Sequence, residues 1–418
     1  MLKRVFGQGN IPADWNIQNI SDIGEVVTGS TPSTIKKEYY GGDYLFVKPS
    51  DLHKDKIISN TETKLTLQGF NQCRKIPSNS IMVTCIGSIG EMGISGKELS
   101  TNQQINTIIC KDKVIPDYVF YNIIFRKRFL EIYANQSLLP IINKSDFSKI
   151  PLPVPPLVEQ RGIVEVLGTV DEAIRRTDAV IEKVEELKRG LMQRLLTWGM
   201  GHTEFKQTEQ GEIPKTWEIS LLNDVGEIIT GTTPSTKIPE YYGKDYQFIS
   251  PFDMGSSKYI YKTQKMISKK GLEVSRALPK HSVLVVCIGS TIGKVGMTSE
   301  VGSTNQQINS IICNEKWDPN FVYYYLLHKE KLFKMYAGKS PVPILNKTEF
   351  SKIIIKYPKI EEQREISKML SSIDKKKEEE KIYLKKLKDI KEGLMQSLLS
   401  GKVRVELKAD GLHRIGNG

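Results

Sequence analysis

Few residues in this chain are suited to catalysis. Its 418 residues include only five histidines, His53, His202, His281, His328 and His413, and none has the spacing that gathers ligands around a metal. Neither an amino-methyltransferase Asn-Pro-Pro-Tyr nor a cofactor-binding glycine signature occurs. Gly289-Ser290-Thr291-Ile292-Gly293-Lys294-Val295 resembles a phosphate loop, but it has three residues between its glycines where that loop needs four. Val295 also stands where a hydroxyl would bind magnesium. An ATP site is excluded, and the expectation is a glycine turn between strands, with Lys294 as a basic tip able to touch phosphate. Asp51 with Glu62 and Lys64 has the look of a nuclease cluster, yet Gln264 and Met266 stand at the matching places later in the chain. Neither a cofactor nor a metal is expected.

The five cysteines lie far apart, and Cys85, Cys110, Cys287 and Cys313 sit inside apolar strand-like runs, which favours buried free thiols over a disulfide framework. Met1-Leu2-Lys3-Arg4-Val5-Phe6 is basic without the apolar run of a signal peptide, and no segment approaches a membrane span, so a cytoplasmic protein is expected. Acidic residues are the minority. Sixty Lys and Arg against 48 Asp and Glu leave a net +12, which favours a polyanionic partner such as nucleic acid over no charged partner at all. Charge alone leaves a generally basic protein as the other reading.

What the chain does have is two copies of one pattern. Thr28-Gly29-Ser30-Thr31-Pro32-Ser33-Thr34 returns as Thr230-Gly231-Thr232-Thr233-Pro234-Ser235-Thr236, and Tyr39-Tyr40-Gly41 as Tyr241-Tyr242-Gly243, both shifted by 202. After one inserted residue the shift is 203. Asn102-Gln103-Gln104 meets Asn305-Gln306-Gln307, and Gly190-Leu191-Met192-Gln193 meets Gly393-Leu394-Met395-Gln396. A period this long means a duplicated domain pair rather than a repeat array.

Each half reads as an α+β module followed by a long helix. Strands are expected at Tyr44–Val47, Ser80–Ile86 and Ile105–Cys110, then single helices over 117–133 and, in the second half, 320–336. Pro151, Pro153, Pro155 and Pro156 mark a stiff boundary, after which no proline appears until Pro214. In that gap Ile163, Leu167, Val170, Ile174, Thr177, Ile181, Val184, Lys188, Leu191 and Leu195 alternate four and three apart, a heptad seam. The same positions return 203 later as Ile366, Leu370, Ile373, Lys377, Glu380, Leu384, Leu387, Lys391, Leu394 and Leu398. Helices this long and one-sided are unstable alone, so an antiparallel intramolecular coiled coil is expected, with an approximate twofold axis. The resulting division is 1–150 and 201–355 for the modules, with 151–200 and 356–418 for the helices and tail. His202-Thr203-Glu204-Phe205-Lys206 leads into the second module, and the first has no such lead-in. The tail Val403-Arg404-Val405-Glu406-Leu407-Lys408 has the matching pattern and is expected to fold back beside the first module.

These features make the resemblance specific. Two modules opening Gly-x-x-x-Gly-x-Thr-Pro-Ser (as in Gly24 to Ser33), each followed by a proline-rich turn, Glu-Gln-Arg (Glu159 to Arg161, Glu362 to Arg364) and a long helix with Gly-Leu-Met-Gln, resemble the specificity subunit of type I restriction-modification systems. The resemblance implies a non-catalytic subunit whose modules each read one half of a split double-stranded DNA target. It also implies helices that act as a ruler and dock two methyltransferase subunits, and through them restriction-translocase subunits. An orphan DNA-recognition scaffold with other partners is the alternative.

For DNA contact, Lys36, Lys37, Lys48, Lys54 and Lys56 in the first module and Lys237, Lys244, Lys258 and Lys294 in the second are candidates to neutralise phosphates. Base reading needs hydrogen-bonding groups of the kind found at Ser50, Asp51, His53, Asn102, Gln103 and Gln104, and at Asp253, Asn305, Gln306 and Gln307. The Asn-Gln-Gln identity suits a shared turn or phosphate contact. Differences at Lys48-Pro49-Ser50-Asp51 against Ser250-Pro251-Phe252-Asp253, and at Glu91 against Lys294, are where reading would diverge.

Overall fold

β-branched runs bounded by glycine and asparagine become the strands of each module. The computed structural model describes residues 11–53, 56–134, 140–255, 257–337, 343–407 and 413–417. Met1 to Phe6, Lys54, Lys408 and the side chains of His53 and His413 lie outside this description. The chain divides into two units, Met1–Thr177 with Tyr383–Gly418, and Asp178–Ile382.

In the first unit a five-stranded sheet runs in the order Gly24–Thr28, Ile105–Cys110, Ile81–Thr84, Met92–Ser95, Ile57–Ile58, antiparallel except at its last pairing. Tyr40–Val47 carries a smaller sheet, antiparallel to Lys64–Leu65 and parallel to Ser100–Thr101. Alternation along Ile81–Thr84 splits the core in two. Ile81 and Val83 pack with Tyr118, Val119 and Tyr121, whereas Met82 packs with Leu45, Val47 and Ile105 on the other face. The second unit repeats the plan with Gly226–Thr230, Ile308–Cys313, Val283–Val286, Val295–Thr298 and Tyr259–Ile260, plus Lys265–Ile267, Tyr242–Ile249 and Gly302–Thr304.

Two sequence expectations need correction. The single helix over 117–133 is broken into Pro116–Phe125 and Lys127–Tyr133, and its counterpart into Pro319–His328 and Glu330–Tyr336. At the break Arg126 has φ −103° and ψ 20°. Its guanidinium, 7% exposed, donates to Asn122 Oδ1 at 2.7 Å and to the Leu399 carbonyl at 3.0 Å. A buried charge must find acceptors, and these are two of them. The proline-rich boundary is partly a strand: Pro151–Val154 pairs antiparallel with Asn16–Asn19 in a two-stranded sheet, where every strand is an edge and the missing amide hydrogens are tolerated.

The long helices are α1, Leu157–Trp198, and α2, Ile360–Leu398, with 42 and 39 residues. Each is about 60 Å long at 1.5 Å per residue. All twenty seam positions are buried or half-buried. In the first unit the start of α1 meets the end of α2, with Ile163 and Leu167 sharing a core with Leu398 and Leu399. In the second the end of α1 meets the start of α2, with Leu195, Leu196, Ile366 and Leu370 in one core. The ion pairs are Asp171 with Lys391 at 2.6 Å in the first unit, and Glu185 with Lys377 at 2.6 Å and Lys188 with Asp374 at 2.5 Å in the second. In the second unit the residue numbers of both pairs add to 562, the mark of an antiparallel run. The three seam lysines are therefore each neutralised by a flanking carboxylate, and such polar seam positions fix register. Among the described residues no helix is long and apolar enough to cross a membrane, and no group of three His, Cys, Asp or Glu could hold a metal.

Candidate nucleic-acid interface

The Thr-Gly-x-Thr-Pro loop is built against the sheet by close approach. A Cβ on Gly29 would lie 2.1 Å from the Asn102 carbonyl oxygen, and one on Gly231 2.1 Å from that of Asn305, so only glycine fits at both. The loop is tied on every side. Thr28 Oγ1 donates to Asn106 at 2.7 Å, Tyr40 Oη to the Pro32 carbonyl at 2.8 Å and Arg74 to the Thr28 carbonyl at 2.6 Å. Thr230, Tyr242 and Arg276 make the same three bonds at 2.7, 2.8 and 2.7 Å. This explains the duplicated tyrosine motif, whose hydroxyl anchors the duplicated loop.

Asn-Gln-Gln is the knot beneath. Asn102 Oδ1 accepts from the Gln104 amide at 3.1 Å and its Nδ2 donates to Gln104 Oε1 at 2.9 Å, and Asn305 does the same with Gln307. Gln103 and Gln306 point outward, exposed, each accepting a hydroxyl hydrogen bond from the loop, from Thr31 and Thr233 respectively. Beside the knot sits a 3-10 turn. Asn102 N donates to the Val47 carbonyl and Asn305 N to that of Ile249, so Pro49–His53 and Pro251–Asp253 emerge from the same sheet end. Asp51 holds its turn by accepting from the Lys48 and Glu62 amides at 2.8 and 3.1 Å; Asp253 accepts from the Ser250 amide, the Ser250 hydroxyl and the Gln264 amide at 2.9, 2.7 and 2.8 Å. The glycine turns join this end through Cys85 N to the Gln104 carbonyl and Cys287 N to that of Gln307. Gly87, Gly90, Gly289 and Gly293 all have positive φ there. Burial pushes the Cys85 and Cys287 thiols up to about 12, which leaves them inert.

The candidate side chains therefore separate. Lys36, Lys37, Ser50 and Gln103, and Lys237, Lys244 and Gln306, are exposed. Half-buried Lys48 serves its turn through its backbone amide. Glu91 pairs with Lys127 at 2.6 Å, and Lys294 donates to the carbonyls of Met254 and Pro251 at 3.1 and 3.5 Å. Lys56 turns inward to Asp117 at 2.5 Å and to Tyr121 Oη at 2.9 Å. Lys258 turns inward to Ser371 Oγ at 3.2 Å beneath the Tyr324 ring. The sequence reading missed three things: Arg74 and Arg276, whose common shift of 202 was available as a signal; the exposure of Phe252, which it had placed only within a divergent segment; and the clasp at the helix starts.

In that clasp, buried Glu159 accepts from Trp15 Nε1 at 2.9 Å and from Arg404 Nε and Nη2 at 2.7 and 2.8 Å. Arg404 also reaches Asp14 at 2.5 Å. The tail thus folds back onto the first module, with Val405 in its core. In the second unit Glu362 accepts from the Met200 amide at 3.0 Å and Trp217 Nε1 at 3.4 Å, and lies 2.9 Å from His202 Nε2. Pro12 and Trp15 match Pro214 and Trp217, so the residues that enter the two modules are alike.

The family model for the type I restriction modification DNA specificity domain matches this chain twice, over residues 12–186 and 214–388. The specificity subunit of the type I restriction enzyme MjaVIII from Methanocaldococcus jannaschii is 28% identical over 417 residues, 95% of this chain and 94% of that protein. That of HindI from Haemophilus influenzae is 36% identical over 196 residues, 46% of this chain and 42% of that protein. The crystal structure of a type I restriction-modification S subunit from M. genitalium has a TM-score of 0.61 at 16% identity, covering 94% of this chain and 96% of that one. A structure from a study of complex assembly in the type I system gives 0.58, also at 16% identity, covering 93% and 98%. At these identities the two solved structures speak to the fold.

Proposed function

This chain belongs to the type I restriction-modification DNA specificity family, and we propose that it is the non-catalytic subunit that selects the DNA target of such a system. Each module, 1–150 and 201–355, reads one half of a split duplex target. The helical segments, 151–200 and 356–418, set the spacing between the halves and dock two methyltransferase subunits. Restriction-translocase subunits join through that complex. One observation carries the reading: in both modules the same three hydrogen bonds hold the Thr-Gly-x-Thr-Pro loop, while exposed residues around it differ, as at Ser50 against Phe252 and Lys36 against Ile238. Invariant framework with variable tips is what two readers of different half-sites require.

Within the loops we assign phosphate contact to Lys36, Lys37, Lys237 and Lys244, and base contact to Ser50, Gln103 and Gln306. Gln103 and Gln306 keep their amide nitrogens free of partners among the described residues, so each offers a donor to a base edge. Asp51, Asp253, Asn102, Gln104, Asn305, Gln307, Glu91, Lys48, Lys56, Lys258 and Lys294 hold the loops rather than the DNA.

The test is a module exchange read by genome-wide mapping of methylated adenines, with the methyltransferase subunits co-expressed. Replacing residues 11–150 by the corresponding module of a relative is expected to change one half-site and leave the other and the spacer intact, because each module has its own core. A folded chimera that alters both half-sites, or a wild-type chain that directs no sequence-specific methylation, overturns the assignment.

A further inference from the structure

We infer that Phe252 reads a thymine through its 5-methyl group in the half-site recognised by the second module, an inference that rests on the DNA-reading function proposed above. Phe252 is 75% exposed, the most exposed aromatic side chain among the described residues. So exposed a phenyl ring adds little to the packing of the module that carries it, and it sits at the turn where the two modules diverge.

The turn is held firmly. Pro251 precedes Phe252 and fixes its own φ. Asp253, the next residue, accepts three hydrogen bonds of 2.7 to 2.9 Å from Ser250 and Gln264. From the glycine turn, Lys294 Nζ clamps the carbonyls on either side, at 3.5 Å to Pro251 and 3.1 Å to Met254. A ring on so rigid a mount loses little freedom when it meets a ligand. In the first module Ser50 stands at this place and Glu91 replaces the clamping lysine. There the glycine-turn residue pairs with Lys127 instead.

The surroundings select the kind of contact. The Asn305 amide bonds the Ile249 carbonyl at 3.1 Å, which puts the Phe252 turn at the sheet end that also carries Gln306. Gln306 and the hydroxyl-rich Thr232 to Thr236 loop are groups that hydrogen-bond to base edges. Among base edges in the major groove, the thymine methyl is the one apolar feature, and a phenyl ring is its complement.

The experiment uses the full chain assembled with its methyltransferase subunits and duplexes carrying the mapped target. Each thymine of the half-site assigned to residues 201–355 is replaced singly by deoxyuridine, which removes only the methyl group. One replacement is expected to weaken wild-type binding about fourfold, the worth of one buried methyl. In Phe252→Ser, which installs the first module's residue at a solvent-exposed position, thymine and uracil should bind alike while the melting temperature is unchanged. Phe252→Leu should keep part of the preference. Uracil tolerated at every position, a preference that persists in Phe252→Ser, or a half-site without any T·A pair overturns the inference. So does an affinity loss in Phe252→Ser with no uracil sensitivity, which would mark a wedge between base steps. Failure of the function itself looks different: the wild-type complex would not separate its target from a scrambled duplex.

Discussion

Lys56 in the first module and Lys258 in the second stand at matching positions 202 apart, yet their charges are met by different means. Both lie over a matching pair of rings, Lys56 with its Nζ 4.2 Å from the Tyr121 centroid and 5.4 Å from that of Phe120, but Lys56 also pairs with Asp117 and the Tyr121 hydroxyl. In the second module Asn320 replaces that aspartate, and Lys258 lies among the rings of Tyr259, Tyr323 and Tyr324, with its Nζ 4.6 Å from the nearest centroid. Burial pulls the Lys258 ammonium down to about 8, against the opposing pull of Asp374 and Asp318. The clasp differs in the same way: Glu159 is closed by an arginine from the far end of the chain, whereas Glu362 faces His202, a few residues beyond α1. Aromatic rings and hydrogen-bonded turns are what both modules keep. Compensating charges have drifted, because π-faces and neutral donors can stand in for a lost carboxylate at modest cost.

The clasp should expose this difference most strongly. Glu159→Ala leaves the Trp15 indole without its acceptor and the Arg404 guanidinium with Asp14 as its remaining partner, and should cost the first unit about 3 kcal/mol. Glu362→Ala, which strands a neutral indole, a backbone amide and an imidazole, should cost the second unit about 1–3 kcal/mol. Denaturant unfolding of single-tryptophan variants retaining Trp15 or Trp217 resolves the two, and equal losses would erase the distinction.

Gly29→Ala and Gly231→Ala test the opposite side of the comparison. Both drive a Cβ to 2.1 Å from a backbone oxygen. Each should cost a similar amount, about 1–3 kcal/mol, and each should blur recognition of its own half-site only. Unequal penalties in the two melting curves would mean that the frameworks are not equivalent.

The smallest effect concerns the lysines. Lys56→Met should destabilise the first unit by about 1 kcal/mol, since Asp117 keeps partial access to water. Lys258→Met should be neutral or stabilising at pH 7. The native pKa of Lys258 lies below its unfolded value, so the unfolded chain binds more protons. Its charged form therefore opposes folding below about pH 8, and that penalty fades as pH rises from about 8 toward the unfolded value of about 10.4. Urea unfolding at pH 7 and pH 9.5 should find the advantage of Lys258→Met shrinking at the higher pH. An advantage that grows instead would contradict the burial account.

The helical seam was legible because a 3.5-residue period is a local signal, and the duplicated loops because identical residues recur at a constant shift. The break at Arg126 was not, because the Leu399 carbonyl that its guanidinium reaches is distant in sequence. Proline hid the strand Pro151–Val154 by reading as a boundary. Lys56 and Lys258 read as free cations because the rings that hold them follow some 65 residues later. Asp51 and Asp253 read as base contacts, although their carboxylates are taken up by the amides of their own turns. The segment of Phe252 was marked as a place of divergence, but Phe252 itself was not named as a contact, because a hydrogen-bonding criterion passes over a phenyl ring. The Glu159 clasp joins residues 14, 15, 159 and 404, and only the likeness of its last member to His202 hinted at it.

The discontinuity of the first unit has a consequence during synthesis. Asp178–Ile382 emerges from the ribosome as an uninterrupted stretch and can complete itself, but Met1–Thr177 must wait for Tyr383–Gly418. At about 5–20 residues per second the wait is on the order of 10–40 s. Through that interval Ile163 and Leu167 lack Leu398 and Leu399, and Glu159 lacks Arg404. The nascent chain holds a finished second module and an open first one, an exposed apolar seam of the sort that chaperones retain. A stop codon after residue 382 would leave that seam open for good.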